Sequence, residues 1–190
     1  MTLSSRFADA LVYAATLHAK QQRKLSGSPY VGHLLAVAGI VLQFGGDEDE
    51  AIGALLHDAA EDQGGEAAAD DIRRRFGDRV ADLAIACSDT MVTPKPPWRE
   101  RKEAHVAHMR QADESVRLIV AADKLDNARS ILADYRLHGE ALWQHFRGRR
   151  DGTLWYYRAM IEALGRAGRA GRIITEVEKV VEQLEQLAGK

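Results

Sequence analysis

Apolar residues recur along this chain at helical spacing, and no stretch alternates in the manner of a strand. Phe7, Leu11, Ala14 and Leu17 line one face of a first helix, and a second runs through 31–44 and stops at Gly45-Gly46. Asp47 caps a third. Glu50, three residues on, completes a capping box, Ile52, Leu55 and Leu56 face inward, and Gly64-Gly65 ends the helix. Shorter helices are expected over 66–76 and 78–89, divided by Gly77. TPKPPW (93–98) holds three of the four prolines and reads as a loop. Helices follow over 99–111, over 114–136 on Leu118, Ala122, Leu125, Ala128 and Leu132, and from 152 to about 168. The last helix spaces Ile173, Val177, Val180, Leu184 and Leu187 by four and three, a seam for the body of the domain or for a second chain. The pattern predicts an all-α fold in a single domain, 1–190, with no internal repeat.

Twenty-six basic against 28 acidic residues give a net charge of −2, which advertises neither nucleic acid nor membrane as a partner. The charge is uneven: seven arginines fall between Arg147 and Arg172, facing either an anionic ligand or solvent. Cys87 is the sole cysteine, so the expected setting is a reducing cytoplasm. The first twenty residues lack the layout of a signal peptide. LLAVAGIVLQF (34–44) falls short of the roughly 20 apolar residues that span a bilayer.

Candidate chemistry centres on ALLHDAAEDQ (54–63). With seven histidines and 15 aspartates among 190 residues, chance alone predicts about 0.6 adjacent His-Asp pairs. The surroundings of this one are more informative. Glu61 lies four residues after His57 and Asp62 four after Asp58, so on a continuous helix the pairs stack one turn apart. Three acids so close repel, and a divalent cation relieves them. Imidazole with carboxylate suits Mn²⁺, Fe²⁺ or Zn²⁺, and the lack of cysteine ligands argues against structural zinc. Further ligands must come from elsewhere. His33 opens the apolar helix HLLAVAGIV and, taken alone, reads as structural. Asp123 is embedded in LIVAADKLDNAR with Asn127 at i+4, and calls for a cation, either Arg129 or a metal. His105 and His108, three apart, read as a solvated helix face sooner than as a second metal pair, His18 as a core-edge residue, and the three tryptophans as core or rim.

Four segments, RKLSGSPYVGH (23–33), ALLHDAAED (54–62), FGDRVADL (76–83) and AADKLDNARSI (121–131), occur in the order and approximate spacing of the hydrolase domain of RelA/SpoT enzymes. The chain most resembles that family's stand-alone small alarmone hydrolases, members of the HD-domain superfamily of metal-dependent phosphohydrolases. The resemblance implies an HD-domain helical bundle of roughly eight to ten helices, with a core over about 5–135 and C-terminal helices over 138–188. It implies that His33, His57, Asp58 and Asp123 hold Mn²⁺ or another divalent ion, and that Glu61 and Asp62 manage water and protons. Arg23, Lys24, Asn127 and Tyr156 would contact a small-molecule nucleotide. The implied activity removes 3′-pyrophosphate from (p)ppGpp or a relative such as (p)ppApp, by a monomer or homodimer. Two positions depart from the usual Ala-Asp-Arg-Leu-His-Asn: here Lys124 and Asp126 stand in Ala-Asp-Lys-Leu-Asp-Asn, and CSDTMVTPKPPW (87–98), with Lys95, replaces a Val-Thr-Lys-Leu stretch. Another HD phosphohydrolase, a nucleotidase or phosphodiesterase, would share the metal residues but lack the RK–SGSPY element. A non-catalytic nucleotide sensor would have no need of Glu61 and Asp62.

Overall fold

The computed structural model describes residues 2–90, 92 and 94–189; Met91 and Thr93, the latter opening the proline-rich loop, lie outside them. Among the described residues ten α-helices and one 3-10 segment form, and the β pairing seen is a single bridge between Gln22 and Pro29. Ser4 accepts from Arg6 N and starts α1 (Ser5–Leu17). The nearly all-apolar α2 (Val31–Gln43) follows the turn that the bridge closes. α3 (Glu48–Leu56) starts at the predicted capping box, with Glu50 N donating to Asp47 Oδ1 at 2.9 Å and Asp47 N to Glu50 Oε2 at 2.7 Å. Next come α4 (Ala59–Gln63), α5 (Gly65–Phe76), α6 (Asp78–Cys87), α7 (Trp98–Met109) and the 25-residue α8 (Glu114–His138). A 3-10 segment (Gly139–His145), α9 (Arg149–Leu164) and α10 (Gly168–Leu187) complete the order.

Leu118, Ile119, Ala121, Ala122 and Leu125 of α8 are all fully buried, so the helix must be surrounded, and α2, α3, α6, α9 and α10 pack against it. Burying each such leucine or isoleucine contributes roughly 1.5–3 kcal/mol. α3 comes very close at Gly53, where a Cβ would sit 3.2 Å from both Ile119 Cδ1 and Leu83 Cβ. The C-terminal seam lies inside this assembly: Ile173, Val177 and Leu184 are buried with α10 against α8, while Leu187 is exposed. A single apolar cluster runs from Ala10 to Ala188. No helix among the described residues is long and apolar enough to cross a membrane.

The expected third helix, Asp47 to Gly64, is instead two. The helix breaks at His57 and Asp58, with Asp58 at φ −97°, ψ −2°. At the break the His57 ring donates from Nδ1 to the Ala54 carbonyl at 2.8 Å.

Candidate active site

Three helices deliver the central cluster. The first turn of α2 supplies His33, the α3–α4 break supplies His57 and Asp58, and mid-α8 supplies Asp123. The break lets consecutive side chains converge, and His57 Nε2 lies 3.1 Å from Asp58 Oδ2. His33 Nε2 is 3.2 Å from Asp123 Oδ1 and 3.8 Å from Asp58 Oδ2, while His57 Nε2 is 3.7 Å from Asp123 Oδ1. Despite this proximity, both Nε2 atoms are buried without an aligned hydrogen-bond partner. The other ring nitrogens are fixed: His57 Nδ1 faces the Ala54 carbonyl, and His33 Nδ1 lies 2.6 Å from Asp126 Oδ2. Carbonyl and carboxylate oxygens only accept, so each Nδ1 carries the proton and each Nε2 turns its remaining valence toward the carboxylates.

This donor set fits a divalent cation. Ligand atoms of His33, His57 and Asp58 lie within 4.8 Å of one another, and Asp123 Oδ1 adjoins both imidazoles. Within the cluster the charges compensate one another. Burial opposes ionisation throughout, but Asp58 and Asp123 outweigh it and raise His57 well above the usual histidine range. Asp123 is likewise held well below the usual carboxylate range, against burial, by Lys124 and the two histidines. Tyr30 OH donates to Asp58 Oδ2 at 2.5 Å, and Asn127 Nδ2 to Asp123 Oδ1 at 2.5 Å. The cation expected beside Asp123 is Lys124, whose Nζ lies 2.6 Å from Oδ2; Arg129 is exposed on another face.

The cluster opens onto a cleft of about 730 Å³, lined by nine of the ten predicted site residues, with His33 buried behind it. Glu61 and Asp62 stand on the wall beside Asp58. Lys95, from the segment that replaces the family's Val-Thr-Lys-Leu stretch, donates to Glu61 Oε1 at 2.8 Å and lies 3.8 Å from Asp62 Oδ1. Burial and the nearby Asp89 carboxylate raise the Glu61 pKa above its ordinary value, with Lys95 opposing them. Gln21 Nε2 holds Asp62 Oδ2 at 2.8 Å. Arg23 Nη1 donates to Asn127 Oδ1 at 2.9 Å, Lys24 is exposed at the rim, and the Tyr156 ring is buried with its hydroxyl unpartnered.

Other expectations are corrected. His105 is buried against the cleft, while His108 is exposed as expected. Of the seven arginines from Arg147 to Arg172, Arg147 lines the cleft. The other six bond within the chain, as Arg158 does to Glu185 and Arg169 to Glu50. Sequence reading missed Tyr30, Gln21 and Asp89, and it noted Asp126 only as a departure. Tyr30 has one signal, an aromatic three residues before His33.

A model of the HD domain matches residues 10–154, and the chain belongs to the HD-domain family. Within that family it is similar to the hydrolases of RelA/SpoT type. The guanosine-3′,5′-bis(diphosphate) 3′-pyrophosphohydrolase MESH1 of Drosophila melanogaster is 34% identical over 131 residues, 67% of this chain and 70% of that one. Human MESH1 is 32% identical over 131 residues, with the same shares. The solved structure of a metazoan ortholog of SpoT that hydrolyzes ppGpp superposes with a TM-score of 0.80 at 27% identity, covering 97% of this chain and 98% of that one. That of lmo0812 from Listeria monocytogenes EGD-e gives 0.71 at 29% identity, covering 83% and 99%.

Proposed function

We propose that the protein, acting as one unit over 1–190, is a Mn²⁺-dependent hydrolase that removes the 3′-pyrophosphate of (p)ppGpp or of the related (p)ppApp. The observation that carries this reading is the meeting of two unpartnered imidazole nitrogens and two carboxylates beside the Glu61–Asp62 pair, in a cleft walled by cations. His33, His57, Asp58 and Asp123 would hold the ion. When bound, it supplies Lewis acidity, making water ionise near neutral pH and offsetting phosphoryl charge.

The chain's own groups do the rest. Asp126 and the Ala54 carbonyl orient the two imidazoles, and Tyr30 orients Asp58. Glu61 and Asp62, steadied by Lys95 and Gln21, orient the attacking water and carry its proton. The water oxygen bonds to the phosphorus attached at the 3′ position, the P–O bond to the ribose breaks, and the 3′ oxygen takes a proton, releasing pyrophosphate and GDP or GTP. Arg23, fixed by Asn127, offers a planar guanidinium to the nucleotide, with Lys24 at the rim. Names of relatives such as MESH1 support the same reaction.

The test is a product analysis with ppGpp and ppApp as parallel substrates. Pyrophosphate release supports the reading, and the faster substrate identifies the base. Cleavage on the 5′ side would instead indicate another HD phosphohydrolase.

A further inference from the structure

His105, on α7, is buried with neither ring nitrogen partnered, and the Tyr156 hydroxyl on α9 is likewise buried and alone. Their rings lie 6.4 Å apart, and both residues line the cleft. Two ammonium groups flank them: Lys102 Nζ sits 4.8 Å and Lys124 Nζ 5.5 Å from the centroid of the Tyr156 ring. Burial, then the nearness of Lys124 and Lys102, pushes the His105 pKa down to about 3, so the ring is a neutral donor–acceptor. Leaving several polar atoms buried and unpaired is costly unless something else meets them.

The charges on this wall favour an anion. Arg101 and Lys102 share Asp89, each at 2.5 Å, and Lys124 pairs with Asp123 at 2.6 Å, so three cations face two carboxylates. Asp123 bonds to residues of both groups. Its Oδ1 takes Asn127, which in turn holds Arg23, while its Oδ2 takes Lys124, which leads to Tyr156 and His105.

We infer that His105, Tyr156, Lys102 and Lys124 form a phosphoryl-binding pocket for the distal phosphate of the 3′-pyrophosphate, on the opposite side of Asp123 from the nucleoside. This rests on the reading under Proposed function. The lysines supply charge, and the imidazole and phenol supply hydrogen bonds that a phosphate oxygen accepts.

Calorimetric binding to the full chain in metal-free buffer tests it, comparing guanosine 5′-diphosphate bearing a 3′-diphosphate with the same nucleotide bearing a 3′-monophosphate. The wild-type chain is expected to bind the 3′-diphosphate about tenfold more tightly or better. Tyr156→Phe, which keeps the ring and its packing, and His105→Ala should each cut that preference about five- to tenfold. His105→Gln, which keeps a neutral donor and acceptor, should restore most of it. A preference unchanged in Tyr156→Phe and His105→Ala, or an equal loss for both nucleotides, overturns the pocket. Because binding is read without turnover, a wild-type chain that binds ppGpp but never hydrolyses it would overturn the hydrolase reading and leave the phosphoryl pocket standing.

Discussion

Asp126 and His33, 93 residues apart, are joined by a 2.6 Å hydrogen bond from His33 Nδ1 to Asp126 Oδ2. The residue that departs from the family's usual motif thus buttresses a proposed metal ligand. The same carboxylate lies 3.9 Å from Arg23 Nη2, so it also reaches the guanidinium proposed to meet the nucleotide. A carboxylate behind a ligating imidazole fixes its tautomer and raises its basicity. Asp126→Ala should weaken Mn²⁺ binding about 10- to 100-fold. Titration against a competing chelator reads this directly, and an unchanged affinity would show that His33 needs no such support.

Glu61 and Asp62 are assigned to water and proton handling, not to holding the ion. Glu61→Gln combined with Asp62→Asn should therefore leave the Kd for ppGpp within about threefold of wild type while turnover falls at least ~100-fold. Wild-type rates in the double variant would remove both residues from the mechanism.

The Glu61 carboxyl titrates above its ordinary range because it is buried and faces Asp89, and Lys95 works against that rise. As a base it acts only when ionised, so kcat/KM should fall as pH drops through this raised pKa. Lys95→Ala removes the opposing cation and should move the acid limb of the profile to higher pH. A limb that stays put or moves lower would rule out Glu61 as the group it reports.

Arg169 ties α10 to α3 with two 2.7 Å hydrogen bonds to the buried Glu50 carboxylate. Burial raises the Glu50 pKa, but Arg169, Ser115 and the Asp47 backbone outweigh it and hold it low. A depressed carboxyl stabilises the fold fully above the unfolded value of about 4.3, and that contribution fades as pH falls toward the folded value. Arg169→Ala, which strands the charge, should cost about 3 kcal/mol in urea unfolding at pH 7 and less at pH 3. Equal losses at both pH values would mean the pair is not the cause.

The sequence exposed those features that depend on local pattern. The capping box at Asp47 and Glu50 forms as predicted because both its bonds lie within four residues. Asp123 stands out because it is an acid set in an apolar run, and burial there calls for a partner, whereas His33, which by itself reads as structural, is singled out only by the family resemblance. What depends on distant contacts did not show. The break at His57 and Asp58 interrupts an unbroken helical pattern, and its consequence is visible only once Asp123 arrives from α8. His105 looks exposed because its neighbours are polar, yet α9 covers it through Tyr156. The arginines after Arg147 suggested an anion site, but Glu50, Glu178 and Glu185 take several of them as structural partners.

The central claim is that this cleft releases pyrophosphate from a 3′-pyrophosphorylated purine nucleotide. Chromatography of ppGpp incubated with the protein and Mn²⁺, with and without excess chelator, tests it most directly. The account predicts GDP and pyrophosphate in equal amounts, lost with chelator and regained when Mn²⁺ is restored. No pyrophosphate at high protein concentration, or inorganic phosphate in its place, would contradict it.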